Sequence, residues 1–385
     1  MPEPRLRRAA LLGGVAEGIL ATALPLLAAS VTHDPLDVAA VVAAQHLPWI
    51  AVALGWSLVH RVDRRTVVGV VHTMRALVTG WIGFHTLAGT DTITRVQLVA
   101  LLVGLGEALS GSVEDEAGDP RMSTRGMVGL AVLGMPVGGF LYEIFLAVPF
   151  LADVLLFALA ALFALFVPRP VRAPATEGPG RTRLAPGTVP VAITAFVASA
   201  ARSAVLGILV LFALVDLGLG APAFGVLLAA LAAATTTGGW VAPETGSVLG
   251  LRVGFAVAAL LSGAGLVTAA RVADAEQPWA SALALGVAWA TATTGGVLLR
   301  ALLTATAGRP VAGGALRAFH LAEWAGVCAG ALLGGWLARD RGVADVVQLA
   351  AIGWAVAALS IAASARRRTV PAAEDTAGDN LLDAA

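Results

Sequence analysis

The sequence of 385 residues contains no lysine and a single cysteine, Cys328. Charged residues of both signs make up only 13% of the chain, whereas soluble domains carry roughly 25%. Because Cys328 has no second cysteine to pair with, an internal disulfide framework and a cysteine-based metal site are both excluded. The formal net charge is zero, which argues against nucleic acid as a partner.

Sequence motifs for common chemistry are also missing. The chain has no Gly-rich phosphate-binding loop, no HExxH zinc motif and no Ser/His/Asp set in a recognisable context. Its six histidines are dispersed: His33, His46, His60, His72, His85 and His320. We therefore predict that the protein is not an enzyme, that ATP does not drive it directly, and that it needs no metal or other cofactor.

The chain is instead rich in apolar residues, which make up 58% of it. A helix needs about 20 apolar residues to cross the hydrocarbon of a bilayer. The sequence predicts an all-α membrane protein with twelve transmembrane helices in the lipid bilayer. The twelve runs are 9–30, 37–59, 66–88, 96–112, 126–144, 147–167, 188–213, 222–241, 253–271, 279–304, 314–337 and 344–364.

The arginines predict how these helices are oriented. Seventeen arginines lie in the segments on the same side as the N-terminus, and four lie in the segments on the other side. Because arginine-rich segments stay in the cytoplasm, we predict an inner (plasma) membrane protein with both termini cytoplasmic. The four on the other side are Arg95, Arg271, Arg339 and Arg341.

A Pro/Gly/Arg-rich segment and an internal repeat divide the chain into two halves. The sequence GMPVGGFL (Gly134–Leu141) of the fifth run recurs as GALLGGWL (Gly330–Leu337) in the eleventh. Such a repeat is typical of transporters with two pseudo-symmetric halves. We predict an N-terminal six-helix half at 1–167, a cytoplasmic linker at 168–187, a C-terminal six-helix half at 188–365 and a disordered tail at 366–385.

Five stretches of the chain are similar to a known family: Ala23–Trp49, Arg61–Arg65, Arg75–Val78, Pro149–Leu165 and Ala315–Ala338. They resemble the major facilitator superfamily, and within it the enterobactin-exporter-like branch of drug and siderophore exporters. The resemblance implies the fold of that superfamily and a small-molecule substrate, and it implies that Arg75 and Asp153 brace the helices.

Two cytoplasmic loops depart from the pattern of this branch. In the gating loop between helices two and three, Trp56 and His60 take the places of a glycine and an aspartate, followed by Arg61, Asp63, Arg64 and Arg65. His60 is interpreted either as a pH-sensitive gate, because histidine titrates near neutrality, or as drift in a loop that keeps its shape. The acidic loop Val113–Gly126 is shorter than in the branch, which weakens the expectation of transport.

The fifth helix carries a motif that resembles a pattern of exporters. It consists of Gly134, Pro136, Gly138 and Gly139. Small residues allow close helix packing, and proline allows a bend. The motif favours efflux over uptake, although a role in packing alone explains it equally well.

Four charged residues fall one each on helices one, four, seven and ten, which the resemblance implies line a central cavity: Glu17, Glu107, Arg202 and Arg300. A charge inside a span should face a cavity or a partner. Glu17 and Glu107 are the candidates for proton coupling; the alternative for Glu17 is a static pair with Arg75. Arg202 is interpreted as a counter-charge to Glu17, as a binder of an anionic substrate, or as part of a structural pair.

Further polar residues complete the predicted site. Trp289 and Thr293 on helix ten are candidates for the substrate cavity. Arg317, His320 and Glu323 follow one another at three-residue intervals on helix eleven, which places them on one face. They form either a proton relay or a salt-bridge cluster.

These observations together predict a monomeric, proton-coupled exporter of a small amphipathic compound that works by alternating access. Two alternatives stay open at this point. One is a transporter-derived membrane protein that acts as a sensor or assembly partner, and the other is uptake instead of efflux.

Overall fold

The structure, a computed structural model, describes residues 4–54, 64–116, 125–166, 187–307 and 313–366. Within these ranges the chain forms twelve α-helices and no strands, as the sequence predicted. Ten of the helices are long and apolar enough to cross a membrane, and α5 and α6 contain the shorter apolar segments Ala131–Ile144 and Val148–Ala164. The helices are α1 (Pro4–Val31), α2 (Pro35–Ala53), α3 (Arg64–Leu87), α4 (Ile93–Glu116), α5 (Arg125–Ile144), α6 (Val148–Leu165), α7 (Thr188–Leu211), α8 (Ala221–Leu249), α9 (Leu251–Asp274), α10 (Pro278–Ala307), α11 (Gly313–Arg341) and α12 (Val343–Arg366).

Local sequence signals explain several of the helix ends. Asp34 caps the N-terminus of α2 by accepting a hydrogen bond from the backbone N–H of Leu36, and Pro35 occupies the first helical position, where its missing N–H is not needed. Gly250, with φ of 75°, separates α8 from α9. A π-helical turn, Phe212–Asp216, extends α7. These features allow long apolar helices to reverse direction within one to five residues.

The helices pack into two groups, α1–α6 and α7–α12. In the first group α1 packs on α5 and α6, and α3 packs on α6; in the second α7 packs on α11 and α12, and α9 packs on α10 and α12. Between the groups, α2 packs on α11 and α7, and α5 packs on α8. The predicted linker and tail lie outside the described residues, apart from Gly187 and Arg366, so the domain boundaries remain predictions.

Because successive helices run antiparallel, residues 4 and 366 lie at the same face of the helix array. We call this the terminal face, and we call the other the opposite face. The connections at the opposite face are short and all described, at residues 32–34, 88–92, 145–147, 217–220, 275–277 and 342.

The first two glycines of the repeated motif bring helices together within each group. A Cβ atom added at Gly134 would lie 2.1 Å from the backbone oxygen of Val15, and one at Gly138 would lie 2.6 Å from that of Ile19. Contacts below about 3 Å leave no room for a side chain, since carbon atoms pack at roughly 3.5–4.0 Å. Glycine at these two positions is therefore what allows α5 to lie against α1.

The second copy of the motif makes the same contacts in the second group. A Cβ atom added at Gly330 would lie 2.1 Å from the backbone oxygen of Ala200, and one at Gly334 would lie 2.3 Å from that of Ala204. Thus α11 lies on α7 as α5 lies on α1. The repeat found in the sequence corresponds to a repeated helix–helix contact.

Candidate functional site

The third glycine of each motif contacts the other group of helices instead of its own. An added Cβ at Gly139 would lie 2.3 Å from the backbone oxygen of Ala221 at the start of α8. One at Gly335 would lie 2.7 Å from the backbone oxygen of Pro35 at the start of α2. Both contacts lie near the opposite face. We call them the α5–α8 seam and the α2–α11 seam, and they hold the two groups together at that face.

The α2–α11 seam continues toward the middle of the membrane. Cys328 is buried there, with its sulfur 3.6 Å from the backbone oxygen of Ala43. Further toward the terminal face, the ring of Trp324 stacks on those of His46 and Trp49, with centroid distances of 5.7 and 4.8 Å. A thiol buried between the two groups can become accessible only if they move apart.

An ion pair closes the α2–α11 seam at the opposite face. Arg339 donates from Nε to Oδ1 of Asp34 at 2.6 Å, and its Nη2 donates to Oδ2 of the same carboxylate. The hydrogen bond from Arg339 holds the pKa of Asp34 below its usual value. We call this pair the latch. Asp34 thus ends the turn before α2 and also ties α2 to α11.

Replacing Asp34 by asparagine is expected to weaken the latch without uncapping α2, because the asparagine oxygen still accepts the hydrogen bond from Leu36. Since an exposed ion pair contributes little to stability, we expect unchanged folding and a few-fold faster reaction of Cys328 with a membrane-permeable maleimide. The lowered pKa means that Asp34 stabilises the folded state above the ordinary aspartate pKa, and that this contribution disappears as the pH falls through the folded value. The difference in labelling rate between wild type and the variant should therefore persist at every pH at which the maleimide reacts with the thiolate, since these all lie above the ordinary aspartate pKa. Unchanged labelling of Asp34→Asn at neutral pH would show that the latch does not hold the seam.

A cluster of charges inside the first group of helices surrounds Arg75. Its Nη1 donates to Oε1 of Glu17 at 2.5 Å, which is the static pair that the sequence offered as an alternative; Arg202 is not the partner. The Arg75 side chain is only 1% exposed, whereas that of Glu17 is 26% exposed. Glu17 is therefore the member of the pair that water and protons can reach.

Glu107 lies near this pair but makes no ion pair with an arginine of the described ranges. Its Oε1 accepts a hydrogen bond from the Nε2 amide of Gln45 at 3.0 Å. Arg75 and Glu17 act on it from within electrostatic range. The two predicted proton-coupling carboxylates thus share one neighbourhood but differ in partner: Glu17 has an arginine and Glu107 has an amide.

Arg75 also has unused donors beside a carboxylate with unused acceptors. Its Nε and Nη2 are buried without an acceptor among the described residues, and both carboxylate oxygens of Asp153 are buried without a donor. Asp153 lies on α6 within electrostatic range of Arg75. Buried polar groups are normally hydrogen-bonded, so this arrangement leaves Arg75 with a second possible partner.

The second group of helices contains its own charge cluster. Nη2 of Arg300 lies 3.0 Å from each carboxylate oxygen of Glu323, and Nδ1 of His320 lies 3.3 Å from Oε2. His320 and Glu323 are thus in contact, as their spacing predicted. The arginine that joins them is Arg300 from α10, whereas among the described residues Arg317 makes no hydrogen bond or ion pair. The cluster is a salt-bridge network between α10 and α11.

Arg202 is separate from this network. Its guanidinium carbon lies 5.4 Å from the ring centroid of Trp289, which is only 5% exposed. Thr293 donates its hydroxyl to the backbone oxygen of Trp289 at 3.0 Å, so this hydroxyl is used within its own helix. The aromatic ring that was predicted to stack a substrate is stacked by Arg202.

Parts of the predicted site lie outside the described residues. They include His60, Arg61 and Asp63 of the gating loop, the side chains of Arg64 and Arg65, and those of the acidic loop. The gating-loop interpretation therefore stays a prediction.

Other participants were not predicted as site residues. Gln45, Asp34 and Arg339 each depend on a partner far along the chain. The only local signal was the Asp-Pro pair at the start of α2.

Comparisons with known proteins show the fold of the chain. No family model matches the sequence, and no curated protein matches it. A bacterial metal transporter is similar with a TM-score of 0.71 and 13% identity, over 94% of this chain and 98% of that chain. A mutant of the nucleoside transporter NupG has a TM-score of 0.69 and 14% identity, over 94% and 99%. A bacterial homologue of the human lysosomal transporter Spinster, inward-facing and occupied, has a TM-score of 0.68 and 13% identity, over 94% and 96%.

These likenesses define the class of the fold: it is the major facilitator fold of multi-pass membrane transporters. At such low identity they show the fold alone. They confirm the predicted fold class. They do not support the enterobactin-exporter branch over any other.

Proposed function

We propose that the protein is a secondary active transporter that couples proton movement to export of a small amphipathic compound. The observation that carries the proposal is the set of partly or largely exposed charged side chains inside the helices α1, α4, α7 and α10. A charge near the centre of a span costs about 2.5–3.5 kcal/mol on insertion scales, which favours a water-filled cavity between the groups. The four are Glu17, Glu107, Arg202 and Arg300.

The two seams and the latch support alternating access. They close the opposite face, so the cavity would open toward the terminal face. With the predicted orientation, this is an inward-facing state. The two halves, 1–167 and 188–365, would rock about the central cavity so that the seams part and the terminal face closes. The contacts of Gly139 and Gly335 each involve only a few residues, so each can form and break as one unit.

We propose that proton coupling uses the two carboxylates near Arg75. A proton that enters the cavity can reach Glu107 and Glu17, because both are partly exposed. Protonation of Glu17 removes the negative charge that holds Arg75, and the buried free donors of Arg75 then turn to Asp153. The proton stays on the carboxyl oxygen of Glu17 until the cavity opens to the other side.

A contiguous set of contacts connects this exchange to the seams. Gly18, next to Glu17, lies against α5: its added Cβ would be 2.1 Å from the backbone oxygen of Ala131. The same helix α5 reaches α8 at Gly139. A shift of α1 that follows the exchange of partners at Arg75 therefore acts on the α5–α8 seam. Arg75 can pair with Glu17 or turn to Asp153, and these two alternatives supply the two-state element that such coupling requires.

The direction and the cellular setting complete the proposal. The motif Gly134, Pro136, Gly138 and Gly139 and the resemblance to exporters support efflux. The distribution of arginines supports the inner membrane, with both termini cytoplasmic, and we propose a monomer. Residues 55–63 and 117–124, which make up most of the gating and acidic loops that favoured the sensor alternative, lie outside the described residues.

The test uses everted membrane vesicles with an acid interior and a dye that reports their pH. A panel of amphipathic compounds is added to vesicles of wild type, Glu17→Gln, Glu107→Gln and the exposed control Glu276→Gln. We expect compound-dependent proton release in wild type and in the control, and none in Glu17→Gln. Release that survives Glu17→Gln but disappears in Glu107→Gln would assign coupling to Glu107 alone. No release with any compound in wild-type vesicles would contradict proton-coupled export.

A further inference from the structure

Arg202 lies at the midpoint of its span. Together, α7 and the π-helical turn cross the membrane as Thr188–Asp216, and Arg202 is 14 residues from each end. At 1.5 Å per residue it is about 21 Å from either end, too deep for the side chain to reach the interface easily. Arginine remains charged under all ordinary conditions. A permanent positive charge at this depth needs water or an anion.

No carboxylate in the described part of the chain supplies that anion. Among the described residues, Arg202 has neither a hydrogen bond nor an ion pair. Glu323 acts on it from within electrostatic range, but both oxygens of Glu323 already accept hydrogen bonds from Arg300. In the first group, the two carboxylates predicted to line the cavity have other partners, Arg75 for Glu17 and Gln45 for Glu107. Arg202 is therefore a cation at the middle of a span with no carboxylate in contact among the described residues.

The contact with Trp289 holds the guanidinium in place and leaves it able to bind. A guanidinium over an indole ring gains from the cation–π interaction. Its N–H donors, which lie in its own plane, remain available for a planar acceptor such as a carboxylate. Trp289 is almost fully buried, so it positions Arg202 and offers little surface to a ligand.

A wall of aromatic rings lies within electrostatic range of Arg202. The charge of Arg202 acts on His46, and His46 is the first ring in the stack with Trp324 and Trp49. All three rings are partly exposed. Stacked rings present flat apolar surface that suits a planar organic group.

From these observations we infer that the substrate is an aromatic organic anion whose acidic group binds Arg202 and whose ring lies against the wall of His46, Trp49 and Trp324. The inference rests on the proposed transport function, and it assigns the chemical class of the compound that is carried. The site supplies a fork of hydrogen-bond donors at the middle of the membrane, which a carboxylate accepts with charge assistance. A neutral compound of the same shape lacks the negative charge, and a cationic one is repelled.

Binding to the purified full chain tests the charge requirement. The probes are 2-naphthoate, the neutral 2-naphthalenemethanol and the cationic 2-naphthylmethylammonium, which differ chiefly in charge. Only naphthoate should bind, and Arg202→Gln should weaken its affinity by about 10- to 100-fold, since hydrogen bonds to charged groups contribute roughly 1.5–3 kcal/mol. The naphthoate affinity of Arg202→Lys should fall between those of wild type and Arg202→Gln. Arg271→Gln, on the surface, should bind naphthoate as wild type does. Failure of naphthoate to bind, or binding that is indifferent to Arg202→Gln, overturns the inference.

Thermal unfolding without any ligand gives a second test that does not depend on the choice of probe. If Arg202 serves to bind an anion that is not part of the protein, Arg202→Met removes an unpaired charge and should raise the unfolding temperature. The control Arg271→Met should leave the unfolding temperature unchanged. A lower unfolding temperature for Arg202→Met would show a structural partner and overturn the inference.

The two proposals can fail separately. Proton release with neutral or cationic compounds, without naphthoate binding, would support proton-coupled export and contradict the proposal that the substrate is an aromatic anion. Naphthoate binding that depends on Arg202, without any proton release, would leave the anion site and remove proton-coupled export.

Discussion

A leucine in place of Gly335 is expected to hold the opposite face open. An added Cβ would lie 2.6 Å from the Cβ of Ala39 and 2.7 Å from the backbone oxygen of Pro35, so the α2–α11 seam cannot close around a larger side chain. Overpacking of this kind costs about 1–3 kcal/mol, which corresponds to a roughly 5- to 150-fold change in the ratio of two states. Cys328, buried in the same seam, should react correspondingly faster with a membrane-permeable maleimide.

The chain provides a matched control for this experiment. Gly286→Leu adds the same side chain on α10, where an added Cβ meets nothing within 4 Å, and it should leave the labelling of Cys328 unchanged. Gly334→Leu should instead impair folding, because Gly334 packs against Ala204 within its own group. If Gly335→Leu is folded and labels at the wild-type rate, the seam does not control access to Cys328.

Replacement of Arg75 by leucine is expected to cause the largest loss of stability. Arg75 is 1% exposed and holds Glu17 at 2.5 Å, and its removal leaves the carboxylates of Glu17 and Asp153 inside the membrane without their cation. Breaking a buried ion pair by removing one partner costs about 3–5 kcal/mol. Thermal unfolding of the purified protein should show a strongly lowered midpoint for Arg75→Leu and a wild-type midpoint for Arg271→Leu.

A double variant separates lost charge balance from lost packing. Glu17→Gln added to Arg75→Leu removes one of the two uncompensated carboxylates, so part of the lost stability should return. No recovery would indicate that Arg75 stabilises through its contact with Phe157, over which its guanidinium carbon lies at 5.6 Å, and not through Glu17.

The number and limits of the helices could be predicted because they depend on local properties. A run of about 20 apolar residues is long enough to cross a bilayer wherever it stands in the chain, and the twelve runs correspond to α1–α12. Most limits agree within five residues, but α8 continues eight residues beyond its predicted end at 241, and α2 ends at Ala53 instead of 59. The resemblance to the major facilitator superfamily is likewise confirmed at the level of the fold. The narrower assignment to the enterobactin-exporter-like branch found no support. The fold fixes few of the residues that distinguish this branch, so a likeness in fold does not test it.

The partners of the charged residues could not be predicted in the same way. Glu17 had two candidate cations, Arg75 and Arg202, and only the rotation of α1 relative to α3 and α7 decides between them. Arg300 and Glu323 lie 23 residues apart on neighbouring helices, and Asp34 and Arg339 lie 305 residues apart. Helix periodicity fixes which residues share a face, but not which faces meet.

The repeated glycines show what could and what could not be predicted from the sequence. The matching GMPVGGFL and GALLGGWL predicted equivalent helices, and α5 and α11 do make equivalent contacts. Nothing in either copy indicated that the first two glycines contact the same group and the third contacts the other. That division depends on where α8 and α2 begin, and it becomes visible only in three dimensions.

The duplication of the third-glycine contact has a thermodynamic consequence. Gly139 with Ala221 and Gly335 with Pro35 involve different pairs of helices, and contributions from distant, independent sites add. The free energy that favours the closed opposite face is therefore a sum of contributions from two seams, both of which are lost when the groups move apart during a cycle. A single substitution at either position removes one contribution and leaves the other, so the balance between conformations can be adjusted in steps.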